Sequence, residues 1–312
     1  MPTPVIPAAL APAFRGYNAL FNAQYAKTEP LWPNFAMKTP SNSESETFGW
    51  MAEIPGVREW VGSRIRHTEK LLGFRLVNQQ WELTMQIPET WARWDKLGMF
   101  NPKATLMGAN AAVKPDLEIL NKLVDGFVST AYDSVAFFGS HTWKGGTWAN
   151  NDTMALDATN YAIALQAFKE QLGHAGTNGE APLNINPEIT LVCGPALEAT
   201  ARTILNAELI GGGNTNINLN SAKLLVLPYL RDNTGKAGTV QAANYWYLIC
   251  TNTPGGLMPF ILQEEMPWRT REITGDQEWI VFDSGEYVFG TDSSWTTGYG
   301  LWQLAWGSTG AG

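Results

Sequence analysis

GVREWVGSRIRH (56–67) and FRLVNQQWELTMQI (74–87) are two β-prone runs separated by TEKLLG (68–73), whose Gly73 supplies a short turn. How these runs are read decides the fold. In an extended second run Arg75, Val77, Gln79, Trp81, Leu83, Met85 and Ile87 share one face. Phe74, Leu76, Asn78, Gln80, Glu82, Thr84 and Gln86 share the other, because side chains alternate along a strand. With arms of about 12–15 residues rising about 3.3 Å each, segment 47–92 is a hairpin roughly 40–50 Å long. A two-stranded ribbon of that length is marginal in water. Trp60, Trp81 and their neighbours therefore need cover from outside the hairpin.

The flanking segments differ in character. Residues 1–46 are rich in Pro, Ala and small polar residues, with a short helical stretch around Tyr17–Tyr25 and a solvated linker at SNSESE (41–46). Such a segment cannot bury itself, so it reads as an arm, disordered or ordered against something else. After the hairpin, Asn101 is a suitable N-cap and Pro102 suits the first helical position. Leu117, Leu120, Leu123, Val124 and Phe127 recur at helical spacing up to a stop near Gly126. A helix of about 25 residues, roughly 37 Å long and kinked at Pro115, is predicted.

Residues 151–244 read as α/β. Tyr161, Leu165, Phe168 and Leu172 line a helix ended by Gly173, ITLVCG is a buried strand, and Pro195 opens a second helix through Leu205. GGGNTNINLN (211–220) is a loop, and AKLLVLPYL is another strand. From Tyr245 onward the pattern is strands: NYWYLICT, MPFILQEE, EWIVF, EYVFG and finally YGLWQLAW. Asp283, Ser284 and Gly285 are predicted to form a tight hairpin loop. Trp295 falls in the loop before the last strand.

Composition narrows the chemistry. Charged residues are only 16% of the chain, below the roughly 25% usual in soluble domains, which suggests uncharged surface covered by partners. The net charge of −8 and the lack of a Lys/Arg cluster exclude a grip on specific nucleic-acid sequences. Cys193 and Cys250 lie in apolar runs and read as buried free thiols of a reducing compartment. The proline-broken, unbasic start is no signal peptide, and no run has the length of a membrane span.

His67, His141 and His174 lack ligand spacing, so no metal or cofactor is expected. Ser140 and His141 are strand neighbours pointing to opposite faces and cannot act as nucleophile and base. IGGGNTN lacks the phosphate-loop pattern and reads as a loop tip. Glu264/Glu265 and Asp276/Glu278 read as solvated carboxylates in preference to an acid–base pair. The 14 tryptophans raise a carbohydrate-binding module as one reading, but most alternate with aliphatics, which is the pattern of packing. A chain whose arm and hairpin cannot stand alone is best explained by heterologous contacts with copies of itself.

ETFGWMAEIPGVREWVGSRI (46–65), FRLVNQQWELTMQIP (74–88), AAVKPDLEILNKLVDGF (111–127), DSVAFFGSHTW (133–143) and FGTDSSWTTGYGLWQLAWG (289–307) occur in this order. Together they resemble the Mu-like phage major head subunit family, from about residue 46 to the end. The resemblance implies an α+β chain with the Hong Kong 97 phage capsid fold. Its parts are an N-terminal arm (1–46), an extended loop lying over a neighbouring subunit (47–92) and a peripheral domain with a spine helix (93–150). An axial α/β domain (151–244) and returning peripheral strands (245–312) follow.

The implied function is that of a non-enzymatic major capsid protein, self-assembling into hexamers and pentamers of an icosahedral head. The implied location is the virion, and the host cytoplasm during assembly. Partners would be other copies, portal and scaffold or cement proteins, and packaged double-stranded DNA bound without sequence specificity; no membrane is involved. Expected intersubunit residues are Trp60, Arg64, Lys70, Trp81 and Trp295, with Gly211, Gly212, Gly213 and Asn214 at the axial tip. Some relatives of the fold cross-link a lysine to an asparagine; Lys70 sits at the hairpin tip, but no partner is identified and that chemistry is not carried over. An encapsulin-like compartment shell is the alternative within the same fold.

Overall fold

The computed structural model describes residues 6–48, 74–94, 96–175, 181–210, 213–234, 240–275 and 278–311. It opens with a helix, α1 (Ile6–Lys27), far longer than the stretch expected around Tyr17–Tyr25. Leu10, Phe14, Tyr17 and Phe21 form one buried helical stripe. Pro12 lies on the exposed side, where water can take the carbonyl left free by its missing N–H. The stripe packs within this chain against α3 (below), and a Cβ on Gly108 would stand only 2.4 Å from the Phe21 carbonyl oxygen. Residues 6–46 are thus not an arm unable to bury itself: periodicity hidden among prolines gives them a core.

After α1, strand β1 (Ala36–Pro40) runs parallel to β15 (Phe260–Ile273). SNSESE is a tied turn, not a free linker. Ser41 and Ser43 hydroxyls donate to the Glu46 carboxylate at 3.0 and 3.1 Å, holding its pKa below the usual range. The turn leads into β2 (Ser45–Thr47), antiparallel to β3 (Arg75–Val77), and Phe48 N–H donates to the Phe74 carbonyl at 2.9 Å. The chain is therefore joined to itself at Phe48 and Phe74, on either side of residues 49–73. The first hairpin run and its turn, with Trp60, Arg64 and Lys70, fall outside the described residues.

The second run is not one arm of a free ribbon. Its main part, β4 (Gln79–Pro88), is the edge of a four-stranded sheet ordered β1-β15-β16-β4, paired antiparallel with β16 (Glu286–Tyr299). The expected alternation holds from Trp81 to Ile87, with Met85 and Ile87 buried, but Leu76 is the inward residue of β3. The phase changes at Asn78, which belongs to neither strand.

Short α2 (Glu89–Arg93) and a 3-10 turn (Leu97–Phe100) lead into α3 (Asn101–Asp125). Asn101 already has helical angles (φ −53°, ψ −47°), so Phe100 takes the cap position and no side chain caps the helix. Pro115 lies inside one continuous helix, and Ile119 joins the buried stripe whereas Leu117 is exposed. One step after the proline, buried Asp116 accepts N–H bonds from Leu31 (2.9 Å) and Trp32 (2.7 Å), fixing the turn between α1 and β1.

Hairpin β5 (Ser140–Trp143) and β6 (Gly146–Ala149) turns through Lys144 (φ 48°) and Gly145 (φ 78°). Beyond β7 (Asn151–Asp152), the expected helix is α4 (Ala158–Gly173), capped by Asp157, which accepts from Thr159 and Asn160 N–H. Strand β8 (Ile189–Cys193), α5 (Glu198–Asn206), hairpin β9 (Leu209–Ile210) and β10 (Asn214–Thr215), and β11 (Lys223–Val226) follow. Strands β12 (Asp232–Thr234) and β13 (Val240–Gln241) pair with each other, and β14 (Trp246–Cys250) is buried throughout.

EWIVF, read as a strand, is the helix α6 (Trp279–Ser284), and Gly285 at φ 67° is its left-handed cap and not a hairpin turn. Ile280 and Val281 pack inward there, a helical pairing that a short apolar run does not distinguish from strand periodicity. YGLWQLAW is also divided: Tyr299 ends β16, Trp302–Leu304 is a 3-10 turn, and β17 (Ala305–Ser308) begins anew. β17 does not extend the four-stranded sheet. It joins a second sheet, β11-β8-β14-β17-β7, so the strands after 245 are shared between two sheets. Asn150 holds the break: its side-chain amide donates to the carbonyls of Phe137, Trp302 and Ala305.

Burial pushes the Asp116 carboxyl pKa up, against the two N–H bonds that favour the charge. Asn at this position keeps an oxygen that can accept both bonds and removes the buried charge. Asp116→Asn should retain the wild-type melting temperature near pH 7, whereas Asp116→Ala should cost about 1–3 kcal/mol by orphaning donors. A raised folded-state pKa is stabilising in acid and is lost as pH rises through it. Wild type should therefore gain on Asp116→Asn as pH falls, which melting curves at several pH values would check; an opposite trend would refute this account of Asp116.

Candidate functional site

The chain is pinned by hydrogen bonds on both sides of residues 49–73. Asn78, at the phase change, donates through its side-chain amide to Ser41 Oγ (3.0 Å) and the Ser43 carbonyl (2.8 Å). Its Oδ1 accepts from Gln263 Nε2 at 2.8 Å, which ties the tied turn to β15. One turn of sheet further on, Trp81 stacks on Trp295 with ring centroids 4.7 Å apart and planes 17° apart. The Trp81 indole N–H donates to the Trp295 carbonyl at 3.0 Å, and the Trp295 indole N–H to Ser293 Oγ at 3.0 Å. Lys114 of α3 places its ammonium 4.4 Å from the Trp81 ring centre while bonding Glu118 at 2.8 Å. Strand, sheet and helix thus meet on one indole.

Trp295 lies within β16, not in a loop, and is only 2% exposed. Its ring is taken up by its own chain, while Trp81 is half-buried. On the open face of the same sheet, Arg269 and Arg271 both bond Asp292 (2.7–2.9 Å), and the Arg269 bonds hold its carboxyl below the usual range. Of the four residues at the expected axial tip, Gly211 and Gly212 lie outside the described residues. Gly213 (φ 84°) and Asn214 are exposed, and Asn214 starts β10. The connection that follows is anchored and not free: buried Asn216 donates to the carbonyls of Ile204 and Ala207, both at 2.8 Å.

The residues considered for catalysis are placed elsewhere. Ser140 is exposed, and His141 points to the opposite, buried face, against Trp302 and 2.6 Å from Asp133. Cys193 and Cys250 are buried free thiols, Cys193 with its pKa pushed up to about 11 by burial and Cys250 raised for the same reason. Burial thus disfavours the reactive thiolate form of both. Glu264 pairs with Lys38, and Glu265 accepts from Ser294. No helix among the described residues is long and apolar enough to cross a membrane.

The fold defines a protein of the Hong Kong 97 phage capsid class. The procapsid subunit of bacteriophage JBD30 superposes with a TM-score of 0.56 at 22% identity, over 98% of this chain and 76% of that one. The profile of the family described as Mu-like prophage major head subunit gpT matches residues 10–154, 142–230 and 232–311. The chain belongs to that family and is a major capsid protein of a phage head. It is 25% identical to the Mu-like prophage FluMu major head subunit of Haemophilus influenzae over 302 residues, 96% of this chain and 73% of that one. It is 31% identical to the major capsid protein of Escherichia phage Mu over 134 residues, 43% of this chain and 44% of that one.

Neither Asn78, Lys114 nor Asp116 stands out in the sequence, since the contacts that matter at this site reach residues more than 30 positions away. The one local sign is that Lys114 and Asp116 flank the helix proline. Trp81→Ala should lower the melting temperature of the isolated chain by removing both the stack and the cation contact, whereas Trp81→Phe should retain most of the stack. If Trp81→Ala leaves stability unchanged, Trp81 does not hold the loop base.

Proposed function

We propose that copies of this chain form the hexamers and pentamers of an icosahedral head enclosing double-stranded DNA, with segment 49–73 lying over a neighbouring subunit. The observation that carries this reading is the joined base at Phe48 and Phe74, which brackets the sequence that holds Trp60, Arg64 and Lys70. Trp81 supports that base from within. Gly213 and Asn214, with Gly211 and Gly212 before them, are proposed to approach the symmetry axis. Residues 93–150 and the sheet containing β15 and β16 would form the peripheral domain, and α4, α5 and the five-stranded sheet the axial domain.

Portal and scaffold or cement proteins are the expected partners beyond the chain itself. DNA would be enclosed without sequence-specific binding and without catalysis. The net charge of −8 supports this, since an acidic lining lets a genome slide in and out instead of adhering.

Replacing residues 50–72 with a short Gly-Ser linker should leave a folded chain with near-native melting temperature, because its ends already meet. Shells should be absent in negative-stain microscopy. Intact shells from that variant would refute the role given to the segment, and a wild-type chain that never associates would refute the assembly reading itself.

A further inference from the structure

Two exposed surfaces of opposite character lie at the same end of the four-stranded sheet. The first is α6. Its Ile280 and Val281 enter the core shared with α1, and this turns Trp279 and Phe282 outward at 72% and 78% exposure, rings 6.1 Å apart. Segment 274–286 contains four acidic residues, Asp276, Glu278, Asp283 and Glu286, and no basic one. The second surface follows β4. Trp94, Met99 and Leu106 are 61–63% exposed, and segment 93–103 contains Arg93, Lys96 and Lys103 against a single acid, Asp95. The two flank one strand end, where Glu286 pairs with Pro88 and Glu89 N–H donates to the Gly285 carbonyl at 2.9 Å.

Aromatic side chains this open, with Met and Leu beside them, are the composition of an interface centre and not of a solvated surface. An acidic aromatic surface and a basic apolar one on the same chain cannot each pair with its own copy without bringing like charges together. Pairing unlike surfaces of two copies satisfies both, whether the copies meet head-to-tail around a ring or reciprocally across a two-fold axis. Charge complementarity of this kind sets partner and register.

We propose that the acidic aromatic face of α6 docks on the surface around Trp94, Met99 and Lys103 of a second copy of this chain. This rests on the assembly reading above, and places a subunit contact away from segment 49–73. Trp279 and Phe282 are its apolar anchors. Glu278 and Asp283 face Lys96 and Lys103 of the neighbour.

The test is charge exchange in the full-length chain. Glu278→Lys with Asp283→Lys should cut particle yield at least tenfold, and so should Lys96→Glu with Lys103→Glu. All four changes in one chain should restore particles, since every contact then carries the exchanged pair. A Met99→Cys, Phe282→Cys chain should give covalent oligomers on oxidation of assembled particles and only monomer when dissociated; the native cysteines are buried. Full yield from either charge reversal, no recovery in the fourfold variant, or particles without cross-links would each overturn the proposal. Wild-type particles form in all these outcomes if the assembly reading holds; their absence would indict that reading instead.

Discussion

The antiparallel register of β4 on β16 is the constraint on which the rest of the chain depends. It sets Ile87 opposite Tyr287, Met85 opposite Phe289 and Trp81 opposite Ser293. A slip of one residue would turn Met85 and Ile87 to solvent and bring Thr84 and Gln86 onto the buried face. The Trp81–Trp295 stack marks the same register with two large rings, and Lys114 holds it against α3. Once β4 is seated, β3 and β2 must meet beside it, and the loop between them has a fixed point of departure.

Around that register the chain builds two cores. One lies between α1, α3 and the inner face of the four-stranded sheet, with Phe14, Tyr17 and Phe289 in edge contact. The other takes in the five-stranded sheet and α4 and α5. Where strands break, side-chain amides take over the backbone's hydrogen bonds. Asn78 does this at the loop base, Asn150 at the turn after Tyr299, and Asn216 after the β9–β10 hairpin. Irregular backbone enters a packed interior only when its N–H and C=O groups find such partners.

Long periodic elements were legible in advance. The α3 and α4 helices, β8, and the alternation from Trp81 to Ile87 follow from residue spacing alone. Where structure and local pattern part, the cause is the same. EWIVF is too short for its period to separate helix from strand, and YGLWQLAW alternates well enough to hide a 3-10 turn. The α1 stripe is regular, yet its prolines suggest a break, because nothing local says that Pro12 faces water. The loop base was legible only at Trp81, since Asn78, Lys114 and Asp116 work through partners distant in the chain.

The sequence by itself determined what had to be buried: the aromatic and aliphatic stripes, the two thiols, and the dense aromatic run at 295–306. Those needs are encoded in side-chain chemistry and short-range period. Only the tertiary structure decided which surface meets each need. It packs Trp302 on His141 and Trp306 on Trp246, gives Trp295 to Trp81, and leaves Trp279 and Phe282 in the open. The physical reason is that hydrophobic burial has no direction of its own. Hydrogen-bond register and close packing between distant segments choose the partner.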